Sequence, residues 1–187
     1  MLQDWSANVG RPESQLLLAW FRLAQWAAQH WGPFAYAVVT PYRLISSLLL
    51  GIELPTAATV GPGLRLYHRY GIVINPHCVL GRDCHLRHGV TIGNKVDRTG
   101  HEIGLPTIGD GVDLGAGCVV IGDVRVGDHA RIGALAVVTK SVPAWGVAVG
   151  NPGQVIRVDV PPPSEEETDA VLPGPRHAGA LRPGEPL

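Results

Sequence analysis

His68 and His88 are the side chains whose type and spacing point to chemistry. Branched apolar residues recur every six positions through much of Val60 to Val138, and each histidine falls two places after one of them, His68 after Leu66 and His88 after Leu86. Ala116 and Ala134 fall two places after Leu114 and Ile132, so the four stack on one face of a coil, two imidazoles followed by two methyl groups. Such a column is a polar mouth opening on a narrow groove. An imidazole titrates near neutral pH and can take or give a proton there. A lone solvent-facing histidine ordinarily does nothing. His68 stands out because it sits in the cluster Tyr67-His68-Arg69-Tyr70, and because a carboxylate, Glu53, lies just before the first coil.

The six-residue period predicts a solenoid, since no unit can bury its own apolar face and successive turns of chain must share one core. Three hexapeptides make one triangular coil. The rows then stack as Val60, Leu80, Ile108, Val126, as Leu66, Leu86, Leu114, Ile132, and as Ile72, Ile92, Val120, Val138. Four coils result, with rungs about 4.8 Å apart. The count slips by two residues near Pro76 to Val79 and by ten after Ile92, where the polar, charged loop 94–106 is expected to leave the coil. Loops on a rigid scaffold are where function tends to sit. Cys84 and Cys118 fall four places after a row start, with small inward residues, and Cys78 joins them if Ile74 starts a local row. All three read as buried structural thiols. After Pro143 the chain is expected to leave the solenoid, with Gly150-Asn151-Pro152-Gly153 as a sharp turn.

Ahead of the coil, Leu17, Trp20, Phe21, Ala24, Ala28 and Trp31 share one face of a helix over 14–31, stopped by Gly32-Pro33. A second helix over 34–50 is expected to bend at Pro41 and end at Gly51. The organisation is a helical segment over 1–52, a coil over 53–158 and a Pro-rich tail over 159–187 whose composition predicts disorder. Neither helix reaches the roughly 20 apolar residues of a bilayer span, and Arg22, Pro41 and Arg43 interrupt them. They are expected to pack on the solenoid or another subunit, with membrane-surface association as a lesser reading. A net charge of -1 gives no basic footprint for nucleic acid. Asp4 and Glu13 break the order of a signal peptide, so a cytoplasmic location is the default expectation.

The segments GIELPTAATVGPGLRLYHRYGIVIN, LRHGVTIGN and IGDGVDLGAGCVVIGDVRVGDHARIGALAVV resemble the hexapeptide acyltransferases, in particular serine O-acetyltransferases and the acetyltransferases of colanic acid biosynthesis. The likeness covers about residues 4 to 158, and the Asp4-Trp5 and Ala7-Asn8 lead-in favours the colanic acid type. It implies a left-handed parallel β-helix, a homotrimer, and acetyl-CoA in the groove between neighbouring subunits. It also implies that His68 is the general base, oriented by Glu53 where serine acetyltransferases carry an aspartate. An alcohol is too weak an acid to attack a thioester at neutral pH unless a base takes its proton. Gly93, Asn94, Ala116 and Ala134 are the cofactor-binding candidates, with Lys140 for its phosphates; Tyr67, His88 and His101 are candidates on the acceptor side.

The departures concern the acceptor. Tyr67 stands where serine acetyltransferases have an aspartate that helps bind the serine amino group, and Gly104 and Leu105 replace an arginine-histidine pair. The large N-terminal helical domain of those enzymes has no counterpart in this sequence. The expectation is an acetyl-CoA-dependent O-acetyltransferase that uses neither a metal nor an acyl-cysteine. Its acceptor is serine or a related small alcohol, or alternatively a sugar hydroxyl of an exopolysaccharide. Two rivals are weaker. A zinc site of the β-helical carbonic anhydrase kind lacks a third imidazole, since Ile92 and Gly93 follow His88, and a non-catalytic assembly module leaves the histidine cluster without a purpose.

Overall fold

The computed structural model describes residues 2–160; the tail expected to be disordered lies almost wholly outside them. Helix α1 (Pro12–His30) opens with Pro12 in its first turn, where a missing N–H costs nothing. It buries Leu17, Leu18, Phe21, Ala24 and Ala27. A 3-10 turn (Gly32–Ala35) leads into α2 (Tyr36–Leu44), which holds Pro41 and runs into a π turn (Ile45–Leu49). Gly32 and Gly51 both adopt positive φ where the helical segments end. Tyr42 anchors α2: it packs against Trp20 and Phe21, and its hydroxyl donates to Leu54 O.

The rest is a left-handed β-helix of three parallel sheets. Sheet A stacks Ile52–Glu53, Ile72–Ile74, Thr91–Gly93, Val119–Ile121 and Val137–Val138. Sheet B stacks Thr59–Val60, Val79–Leu80, Thr107–Ile108 and Arg125–Val126. Sheet C stacks Arg65–Leu66, His85–Leu86, Asp113–Leu114, Arg131–Ile132 and Gly146–Val149, and is closed by antiparallel Gln154–Val158. The rows of B and C pair as the period predicts, Val60 on Leu80 on Ile108 on Val126 and Leu66 on Leu86 on Leu114 on Ile132. The second inward slot holds Cys78, Cys84, Val90, Val112, Cys118, Val124, Ala130 and Ala136, all buried.

Sheet A corrects the register. Ile72 pairs with Ile52, and it is Ile74 that pairs with Ile92. The two extra residues therefore lie between Leu66 and Ile74, not near Pro76 to Val79. Strand alternation turns Ile72 and Ile74 inward together and Val73 outward, so the six-residue count alone could not choose between them. The coil also begins earlier than Val60, at Ile52, and continues past Pro143. Val142 bridges to Val126 and Ala148 pairs with Ile132, a rung hidden in the sequence because its inward residue is an alanine. Loop 94–106 does leave the coil, as an antiparallel hairpin of Lys95–Val96 with Glu102–Ile103.

A parallel coil leaves its first rung with unpaired main-chain groups, an edge that must be covered. The N-terminal segment covers it with side chains. The Asp4 carboxylate accepts from Leu64 N, Asn8 bridges Leu64 O and Leu66 N, and Arg22 donates to Val60 O and Gly61 O. Asp4 and Arg22 also pair bidentately while buried. Among the described residues no helix is long and apolar enough to cross a membrane.

Candidate active site

His68 stands at an irregular corner between sheets C and A. On the sheet C side, Leu66 pairs with Leu86 and Tyr67 N donates to Leu86 O, so His68 leaves the strand in step with His88. On the sheet A side, Gly89 N donates to Tyr70 O, Gly117 N to His88 O and Leu135 N to Ala116 O. Tyr70 thus underlies His88 at the head of the column that continues to Ala116 and Ala134, and His68 belongs to the inserted pair. Its φ is +52°, although Gly71, at +66°, already supplies the left-handed turn of this corner. A left-handed residue with a side chain costs about 1–2 kcal/mol; Asp83, His129, Leu135 and Trp145 share it at other corners, so the inserted pair and not the φ sets His68 apart. Both imidazoles are exposed, and their rings meet edge to face with centroids 6.0 Å apart.

Glu53 is close to this corner in the fold but does not touch His68. Gly71 N donates to Gly51 O, so the inserted corner rests on the turn from which Glu53 emerges two residues later. Glu53 edges a cleft of about 280 Å³ with Arg43, Ser46, Ser47 and Pro76. Among the described residues no hydrogen bond or ion pair joins it to His68.

Tyr67 faces outward from sheet C inside a group of guanidiniums that the sequence reading did not single out. The Arg11 Cζ lies 4.4 Å and the Arg87 Cζ 5.3 Å from its ring centroid, and Arg65 Nη1 donates to its hydroxyl at 3.3 Å. His85 meets the ring edge-on at 5.9 Å. Burial, then the Arg65 guanidinium, with a further push from Arg87, hold the His85 imidazole below its ordinary value of 6.5 against the opposing pull of Asp113 and Asp83. The signal was present in the register: Arg65 and His85 precede a row residue and Arg87 follows one, the positions that face out of sheet C.

The cofactor candidates fall into two groups. Ala116 and Ala134 line an open cleft of about 380 Å³ along sheet C with Arg87, Arg131 and Arg157. Gly93, Asn94 and Lys140 lie at the opposite end of sheet A, where Ile121 pairs with Gly93 and Asn75 donates to Asn94. A Cβ on Gly93 would meet nothing within 4 Å, so that edge is open. Small residues, open main chain and three arginines fit a long ligand with phosphates; no one groove of a single chain holds all five candidates.

His101 sits at the exposed tip of the hairpin. Its N–H donates to Asp97 Oδ1, which also accepts from Thr99, and its Nδ1 lies 2.8 Å from Thr99 Oγ1. Within one chain nothing brings it to His68. The three cysteines are buried, and burial raises the Cys78 and Cys84 thiols to about 11 and the Cys118 thiol to about 12. They are protonated at neutral pH and poor nucleophiles. Among the described residues, no three His, Cys, Asp or Glu side chains converge as a metal would require.

Residues 106–140 match the family described as bacterial transferase hexapeptide (six repeats). The chain is 38% identical over 122 residues to the colanic acid biosynthesis acetyltransferase WcaB, so named, of Escherichia coli strain K12, covering 65% of this chain and 74% of that one. The chain belongs to the hexapeptide-repeat acetyltransferases. It is also 33% identical over 185 residues to the serine acetyltransferase of Mycobacterium tuberculosis, covering 88% of this chain and 79% of that protein. A serine acetyltransferase solved in complex with CoA superposes with a TM-score of 0.64 at 26% identity, over 76% of this chain but only 56% of that one. This hexapeptide-repeat acetyltransferase therefore shares the coil of that serine acetyltransferase and spans a little over half of the solved chain.

Proposed function

We propose that this acetyltransferase transfers the acetyl group of acetyl-CoA to an alcohol bound at the corner of His68. One observation carries the reading: an exposed imidazole on a two-residue insertion in the coil faces a second exposed imidazole, ring centroids 6.0 Å apart, on the rung next to the alanine-lined cleft. Acetyl-CoA supplies the thioester. Neutral His68 accepts the alcohol proton as the oxygen attacks the thioester carbon, and the imidazolium returns that proton to the sulfur as the C–S bond breaks. Main-chain N–H groups of the rigid coil are suited to the transient oxyanion. Glu53 is assigned the task of fixing the imidazole tautomer and balancing the imidazolium, in a contact that forms with substrate in place, as catalytic hydrogen bonds often do.

The two groups of cofactor candidates support a trimer with its sites between subunits. One ligand could touch Ala116 and Ala134 of one chain and Gly93, Asn94 and Lys140 of a neighbour. The acceptor is serine or a related small alcohol, as in the named serine acetyltransferases, or a sugar hydroxyl, as the likeness to WcaB suggests. Tyr67 favours the sugar, because a phenol among arginines cannot hold an ammonium group.

The test is thiol release from acetyl-CoA with serine and with sugar acceptors. His68→Ala is expected to lower the rate by about 10²–10⁴-fold while CoA binding and the thermal melt persist. An unchanged transfer rate would remove His68 from the mechanism.

A further inference from the structure

We infer that the arginine group around Tyr67 is a binding subsite for a phosphate or pyrophosphate carried by the acceptor. This deepens the proposed function, on which its assignment to the acceptor rests.

Three guanidiniums converge on one phenol. Arg11 comes from the start of α1, Arg65 from the first rung of sheet C and Arg87 from the second, so the chain assembles the group from separated segments. Like charges brought together repel, and among the described residues the only carboxylate in an ion pair with any of the three is Asp113, which holds Arg87. Among the described residues neither Arg11 nor Arg65 has a carboxylate partner. Asp83 and Asp113 are the acidic groups near His85, and the neighbouring Arg69 is occupied with Glu13. The balance is positive on a chain whose net charge is -1. Guanidiniums offer planar pairs of donors that match phosphate oxygens.

The group also has room and a direction. Arg65 edges a cleft of about 380 Å³ that includes Gln3, Ser6, Arg82 and Asp83, and Arg87 edges the separate cleft that holds Ala116 and Ala134. Tyr67, which Arg65 and Arg87 both approach, directly precedes His68. An anion seated on Arg11, Arg65 and Arg87 is on the rungs of the two histidines, while the cofactor alanines are on the next two rungs. The subsite therefore selects an alcohol carrying phosphate, such as a sugar joined to a nucleoside or lipid diphosphate, over a zwitterionic amino acid.

The experiment is calorimetric titration of the full chain with inorganic pyrophosphate, with and without saturating CoA. Saturable binding that persists with CoA present is expected, weakened at least about tenfold in Tyr67→Asp and in Arg11→Gln. Arg65 also holds Ala7 O, so Arg65→Gln is not used; thermal melts of the two variants ensure that only folded protein is compared. Loss of pyrophosphate binding when CoA is added would give the arginines to the cofactor and overturn the inference, as would binding unaffected by either substitution. These readouts need no acetyl transfer, so they stand apart from the failure of the proposed reaction. Acetylation of a nucleoside diphosphate sugar or a lipid diphosphate sugar then identifies the source of the phosphate, and serine as a better acceptor than both would overturn the assignment to the acceptor.

Discussion

The coil from Thr107 to Val138 and the coil from Ile52 to Ile92 have the same cross-section and are built to different rules. In the later stretch every row residue follows the last by six positions, and Ile108, Leu114, Val120, Val126, Ile132 and Val138 are all buried. Tight corner glycines recur in both stretches, at Gly61 and Gly81 as at Gly115, where an added Cβ would lie 2.5 Å from Ala134 N. In the earlier stretch one corner gains two residues, a histidine among them, and Arg65 and Arg87 gather with Arg11 around Tyr67 on the outer face. The regular coil supplies rigidity through repetition. The irregular coil departs from repetition where side chains with acid-base or charge chemistry stand. A substitution in the core of the first should therefore be felt as stability and one on the outer face of the second as function.

The largest stability effect is expected at the centre of the regular part. Leu114 is fully buried between Leu86 and Ile132, and Leu114→Ala should cost about 2–5 kcal/mol, the transfer term plus a cavity. Equilibrium denaturation measures it. If the folded fraction keeps its transfer rate per molecule, the division between support and chemistry holds; a rate that collapses while the protein is still folded would break it.

Much of this division was legible in the sequence. Sheets B and C could be written down rung by rung, because Val60, Leu66, Leu80 and Leu86 keep the six-residue spacing within each coil and pair as that spacing requires. The small groove residues Ala116 and Ala134 and the nearness of His68 to His88 followed from that count, although Tyr70 and not His68 underlies His88. Four features were not legible, each for a physical reason. The inserted pair could be shifted along the chain because Ile72 and Ile74 are equally apolar and both turn inward. The last rung was invisible because Ala148 is too small to mark a period. The edge cover of Asp4, Asn8 and Arg22 joins residues about 40 to 60 positions apart through hydrogen bonds, which no periodicity records. The guanidiniums around Tyr67 were missed for a related cause, since Arg11 reaches them from a different element.

A smaller effect, and of opposite sign in its two readouts, is expected at the inserted corner. His68→Gly removes a side chain from a residue at φ +52°, so it should leave stability unchanged or raise it by about 1 kcal/mol, while transfer falls as it does in His68→Ala. Denaturation midpoints and thiol release on one preparation give both numbers. A loss of stability comparable to that of Leu114→Ala would mean that the corner is part of the support after all.

The smallest effect separates the outer face from the core by pH. The His85 imidazole is held below its ordinary 6.5, by burial first and by Arg65 next. Folding therefore disfavours its protonation, and the unfolded chain binds the extra proton more readily. The stability attached to the neutral ring is complete above pH 6.5 and is lost as pH falls from there through the lower folded value. The melting temperature of the native chain should drop across that acidic window more than that of His85→Gln, which carries no titrating ring. Pyrophosphate seated on the neighbouring arginines would offset their charge and ease protonation of His85, so adding it should shrink the difference between the two proteins. If the melting curves of both run parallel from pH 7 into that window, His85 does not sense the arginines, and the contrast between a charged outer face and an inert core loses its electrostatic half.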